Sequence, residues 1–191
     1  EQAMSAPSKL ALLCGAALLA GCASVSPDGL RGDVATLTAG RTFGVPQAEL
    51  PASDPATRAA AQQKIGEWLA QPLTPDDAVR IALMNNPGLQ ARLAALGVTD
   101  AERVQAITLP NPHLSLGRFA NSHEREIERT LAFSLLDLLT LPWRTARENE
   151  RLQIATLQTA QEVVQLAADT RRAWFRAVAA DTGAIGGSAS H

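Results

Sequence analysis

From Pro142-Trp143 to the next glycine at Gly183 the chain offers no helix breaker. One helix can therefore run there for about 38 residues, or roughly 57 Å at about 1.5 Å per residue. That length exceeds any domain a 191-residue chain can build around it. Ile154, Leu157, Ala160, Val164, Ala167, Trp174 and Val178 recur at three-four spacing, interrupted by Arg171, while Gln153, Gln158, Thr159, Gln161 and Gln165 occupy other faces. Sustained near-heptad spacing predicts coiled-coil-like packing, for which this sequence holds too few partner helices of its own. Composition agrees, because 46% of residues are hydrophobic but only 4% are aromatic, so Ala and Leu carry the apolar surface, as in closely packed helices.

The amino-terminal end reads as an address. A short cationic stretch ending at Lys9 precedes an apolar run from Leu10 to Ala20, the pattern of a secretory signal and too short to span a bilayer as a helix. Glu1, Gln2 and Ala3 precede Met4 and are set aside as upstream residues, so that 1–21 form the leader. Leu19-Ala20-Gly21-Cys22 resembles the lipobox of bacterial lipoproteins. The resemblance implies a diacylglycerol thioether on Cys22, cleavage after Gly21, and acylation of the new amino terminus by a fatty acid such as palmitate. Ala23, being other than Asp, implies onward passage to the outer membrane. The alternative is that Cys22 is a small residue beside an ordinary cleavage site. Cys14 falls inside the leader and has no mature role.

Residues 22–72 read as a lipid-anchored tether, rich in Ser, Gly and Ala, with Pro27, Pro46, Pro51 and Pro55 too closely spaced for a long element. Within it Pro55 to Ala70 can form a short helix with Ile65, Trp68 and Leu69 on one face. Trp68 either anchors at a membrane interface or packs on the main body. Thr74-Pro75-Asp76-Asp77 then starts a helix, with a hydroxyl cap, proline at the first position and two acids in the first turn. It ends at Asn85-Asn86-Pro87, and a second helix starts at Pro87 with Leu89, Leu93, Leu96, Val104 and Ile107 as a narrow stripe.

Leu109-Pro110-Asn111-Pro112 ends that helix, and the period changes to two. Ile127, Leu131, Phe133 and Leu135 alternate with Glu126, Glu128, Thr130, Ala132 and Ser134, which predicts a strand with one oily and one wet face. Leu114 and Leu116 alternate in a preceding strand, and Asn121 to Arg125 form the turn of a hairpin. A lone hairpin is unstable in water, so it packs either in a membrane barrel or on a soluble core. The third helix is predicted to begin near Pro142-Trp143.

A formal net charge of −2 gives no basic footprint for nucleic acid. No phosphate-binding loop, dinucleotide fingerprint, zinc-protease motif or nucleophile elbow occurs, so no catalytic residue, cofactor or metal is expected, and the chain is not read as an enzyme. His113, His123 and His191 lie far apart, and the His123-Glu124-Arg125-Glu126 turn lacks ligand spacing. Glu126 and Glu128 either make a lumen attractive to cations or form a solvated rim. Arg171, Arg172 and Arg176 either face a tunnel, pair with Asp169, or are solvated.

Five segments in this order resemble the TolC family of outer-membrane efflux proteins, in particular its lipoprotein members. They are the lipobox ending at Cys22; Leu73-Thr-Pro-Asp-Asp-Ala-Val-Arg-Ile-Ala-Leu-Met-Asn-Asn-Pro-Gly-Leu89; Leu109-Pro-Asn-Pro-His-Leu-Ser-Leu116; the second strand through Leu136-Asp-Leu-Leu139; and Ala168-Asp-Thr-Arg-Arg-Ala-Trp-Phe-Arg-Ala177. The resemblance implies a mainly α chain with a β-hairpin, whose long helices enter a periplasmic α-barrel and whose two strands enter a trimeric outer-membrane β-barrel. It implies a passive exit duct, with an inner-membrane pump and a periplasmic adaptor as partners. Residues 73–180 match the first helix-hairpin-helix repeat, where family protomers hold two. Residues 181–191 are expected to be an atypical, disordered tail, and the chain to be a truncated or frameshifted protomer. The alternative function is a structural or interaction lipoprotein of the outer membrane that forms no pore.

Overall fold

The computed structural model describes residues 24–108, 113–120, 125–132 and 134–188. The leader, the lipobox with Cys22 and the turn holding His123 lie outside the described residues. The fold is mainly α. In chain order come α1 (Arg31–Thr38), α2 (Pro55–Leu69), α3 (Pro75–Asn85), α4 (Pro87–Ile107), β1 (His113–Ala120), β2 (Arg125–Ala132) and α5 (Leu135–Ser188). By contacts the chain divides into two compact units, one holding Val25–Glu102 with Asn149–His191, the other Ser24 with Arg103–Glu148.

In the first unit, α3 and α4 start where their caps dictate. Thr74 Oγ1 accepts the Asp77 amide at 3.1 Å, and Asn86 Oδ1 accepts the Leu89 amide at 2.9 Å, with a proline at the first position of each helix. Val79 and Leu83 of α3 and Leu89, Leu93 and Leu96 of α4 pack on Ala160, Val163 and Ala167 of α5. Arg92 bridges to Glu162 at 3.2 Å and Arg151 to Glu102 at 3.0 Å, so α4 and α5 run antiparallel with their charges paired along the seam.

The expected tether is largely packed. Leu30, Val34, Val45 and Ala48 are buried in the same core, and α1 forms where only irregular chain was expected. The physical reason is the four-residue spacing of Leu30, Val34 and Thr38, which puts all three on one side of α1 and against the larger helices. Glycines and left-handed residues at Gly29, Leu30, Gly40, Phe43 and Gly44 then supply the turns that let this segment wrap. Of the face expected on α2, Ile65 is buried, Trp68 is half-buried beneath Lys64 Nζ at 4.9 Å, and Leu69 is exposed.

In the second unit the backbone of β1 and β2 pairs antiparallel from His113 opposite Ala132 to Ala120 opposite Arg125. Leu114 lies opposite Leu131, Leu116 opposite Arg129 and Arg118 opposite Ile127, so these six positions share one face. The side chains of Glu126 and Glu128 lie outside the described set.

Two boundaries of α5 differ from expectation. It starts at Leu135, seven residues before Pro142, because Ser134 Oγ accepts the Asp137 amide at 3.3 Å and so caps it. Around the proline, side chains serve carbonyls. Thr140 Oγ1 donates to Leu136 O, Arg144 Nη2 to Asp137 O and Thr145 Oγ1 to Leu141 O. At the other end the helix continues through Ser188 in place of the expected disordered tail. Extending an existing helix needs no nucleus, so a glycine there costs only about 1 kcal/mol relative to Ala.

Candidate functional site

Three arrangements are candidates, beginning with the exit of the chain toward Cys22. Asp100 lies in the middle of the α4 stripe and is 1% exposed, and its Oδ2 accepts the Ser26 amide at 2.6 Å. Arg103 Nη2 donates to Ser24 O at 3.5 Å. Asp28 then caps α1, accepting from Ser26 Oγ at 2.7 Å, Leu30 N at 2.9 Å and Gly32 N at 2.7 Å. These bonds, the Ser26 hydroxyl foremost, hold its carboxyl below the usual range. Sequence reasoning missed Asp100. Its only signal was an acid where the three-four stripe called for an apolar residue.

The second arrangement is a clasp. Arg171 Nη1 donates to Phe43 O and to Asp76 Oδ1, and the guanidinium lies 5.9 Å from the centre of the Phe175 ring. Gly44 makes the approach possible, since a Cβ there would sit 2.5 Å from Asp76 Oδ1 and 2.9 Å from Arg171 Nη1. Its φ of +103° also favours glycine. Three residues on, Trp174 Nε1 donates to Leu73 O at 3.1 Å. Arg171 and Trp174 thus fasten the wrapped segment and the start of α3 to the long helix. Of the arginines singled out in the sequence, Arg171 makes this clasp, Arg172 pairs with Asp169, and Arg176 is exposed with its Nε directed to Arg172 O at 3.4 Å.

The third is the outer side of α5. The expected single stripe is two. Thr156, Thr159, Ala160, Val163 and Ala167 are buried, with Leu152, Leu166 and Trp174 half-buried beside them. Ile154, Leu157, Phe175 and Val178 are exposed, with Val164 and Ala168 half-buried between them. At about 100° per residue the second stripe lies about 120° around the helix from the first. Leu37, Thr38 and Arg41 of the wrapped segment border it, forming with Leu157, Gln161 and Val164 a groove of about 270 Å³.

A larger groove, of about 680 Å³, lies between the start of α2 and the α3–α4 junction, lined by Leu50, Pro51, Pro55, Arg58 and Met84. It is crossed by the Gln62–Asn85 hydrogen bond of 2.7 Å, and its Glu49 is paired with Lys64. No cluster of His, Cys, Asp or Glu able to hold a metal occurs among the described residues. No helix among them is long and apolar enough to cross a membrane. No family model, curated protein or solved structure matches this chain.

Proposed function

We propose that this chain is an outer-membrane channel component of a tripartite efflux system, lipid-anchored at Cys22 and serving as a passive exit duct. The observation that carries the reading is the second stripe of α5. A helix with one face spent on its own core and another apolar face in water is built for lateral helical neighbours, as in an α-barrel. Among the described residues β1 and β2 pair only with each other, and closure with neighbouring hairpins would give their outer edges partners. The order of motifs from the lipobox to Ala177 supplies the family, and through it the homotrimer, the periplasmic adaptor and the inner-membrane pump.

The strand register adds a physical condition. Arg118 and Arg129 share a face with Leu114, Leu116, Ile127 and Leu131. An arginine at the bilayer midplane of a barrel costs about 2–4 kcal/mol, falling toward zero near the interfaces. If that face meets lipid, positions 118 and 129 belong near the membrane interface.

The test has two arms. Protein extracted from membranes should run as a heat-modifiable trimer and conduct ions in planar bilayers. A stable monomer released by mild salt would sink the channel and favour a lipoprotein that forms no pore. Separately, Cys22→Ser should abolish incorporation of labelled fatty acid, and persistent labelling would refute the anchor.

A further inference from the structure

Among the described residues the most exposed apolar surface belongs to none of the arrangements above. Leu135, Leu136, Leu138, Leu139 and Trp143, at the start of α5, are between 48% and 73% exposed. At about 100° per residue they fill an arc of about 160° on one side of the helix. The opposite side carries Asp137, Thr140, Leu141 and Arg144, with Asp137 and Arg144 paired at 3.6 Å. The two turns are thus amphipathic, with no charge on the apolar arc and its tryptophan beside Leu136 near one margin.

We propose that this arc is a lipid-binding surface that lies in the membrane interface, with its leucines among the acyl chains and Trp143 at headgroup level. The proposal rests on the reading of Cys22 as the lipid anchor, and the chain's own geometry favours lipid as the occupant. Ser24 belongs to the same compact unit as Leu135–Trp143, and Arg103 of that unit holds its carbonyl. Only Ala23 lies between Ser24 and Cys22, a reach of at most about 7 Å. An acyl group on Cys22 therefore has almost no slack, and brings the bilayer surface to this unit. An amphipathic helix held there gains by burying its apolar face at the headgroup boundary, where tryptophan is also favoured.

With Cys14 in the leader and Cys22 acylated, the given sequence offers no other thiol, so a single introduced cysteine can report on the arc. Full-length protein carrying Leu139→Cys is labelled with an environment-sensitive fluorophore and reconstituted into phosphatidylethanolamine–phosphatidylglycerol vesicles containing a lipid-borne quencher. Leu69→Cys, at a position 59% exposed on α2 against 67% for Leu139, is the control. The label at 139 should shift to the blue and be quenched at least threefold more than the label at 69. Water-like emission at 139 overturns the proposal. So does a blue shift without quenching, which would mean that a second copy covers the arc. Mass spectrometry of the amino-terminal peptide reports the anchor separately. The same labelled pair in a Cys22→Ser background, at millimolar lipid, decides the surface even if no acyl group is found. Quenching at 139 there supports the arc without the anchor, and equal quenching at 139 and 69 in both the acylated and the Cys22→Ser protein overturns the arc.

Discussion

Two stretches of α5 differ in a way that inverts the usual expectation. The first two turns are the most hydrophobic, with four leucines and a tryptophan on one side, and they are exposed. The core-facing stretch from Thr156 to Ala167 is built from Thr156, Thr159, Ala160, Val163 and Ala167, and it is buried. Hydrophobicity alone does not place a residue inside; the availability of a matching surface does. Thr156 and Thr159 enter the core because each hydroxyl donates to the carbonyl four residues earlier, Leu152 O and Ala155 O, both at 2.8 Å. That bond leaves the methyl group to pack. Small side chains there also let α4 and its leucines come close.

The largest expected effect breaks this contrast directly. Leu93 is fully buried between α4 and α5, and Leu93→Ala should cost about 2–5 kcal/mol in denaturant unfolding, from lost burial plus the cavity left behind. Leu139→Ala, at a position 67% exposed, should change the stability of detergent-free protein by no more than about 0.5 kcal/mol. Equal losses at the two positions would mean that the first turns of α5 are covered in solution, and the contrast would fail.

A smaller effect is expected at the clasp. Gly44→Ala forces a side chain into a left-handed backbone and against Asp76 and Arg171, and should cost about 1–3 kcal/mol. Arg171→Ala removes the other half of the same contact. The double substitution should cost clearly less than the sum of the single ones, because each already opens the clasp. Additive losses measured by denaturant titration would show that Gly44 and Arg171 act independently.

What the sequence made legible was local. Thr74, Pro75 and Asp77 announced α3, and Leu89, Leu93 and Leu96 marked the face of α4 that meets the core. These signals work because caps and stripes are settled within one or two turns. The wrapped segment was not legible, since four prolines read as a linker and the burial of Val34 and Val45 depends on surfaces far along the chain. Asp100 belongs to the same class, its partner amide lying 74 positions away at Ser26. Ser134 is a different failure. Its capping relation to Asp137 was local, but the two-residue alternation of β2 ran straight into it and claimed it for the strand. As for α5, spacing shows that apolar residues recur, but not which of two adjacent stripes meets the chain's own core.

The smallest effect concerns the strap that leads from Ser26 into the core, and it follows from Asp28. Its carboxylate accepts three hydrogen bonds from Ser26, Leu30 and Gly32, which favour the charged form and lower its pKa from the ordinary 3.8. A group whose folded pKa is depressed contributes stability that is fully present above its unfolded value and is lost as pH falls through the lower folded value. The start of α1 should therefore hold at neutral pH and loosen only below about 3.8, while the buried contacts of Leu93 persist. Amide exchange at Gly32, followed by NMR across that range, should show protection falling together with the titration of the Asp28 carboxyl. Asp28→Asn should remove that pH dependence. A carboxyl that titrates at or above 3.8 would show that the three hydrogen bonds are not maintained in solution, and that the strap is looser than the body it crosses.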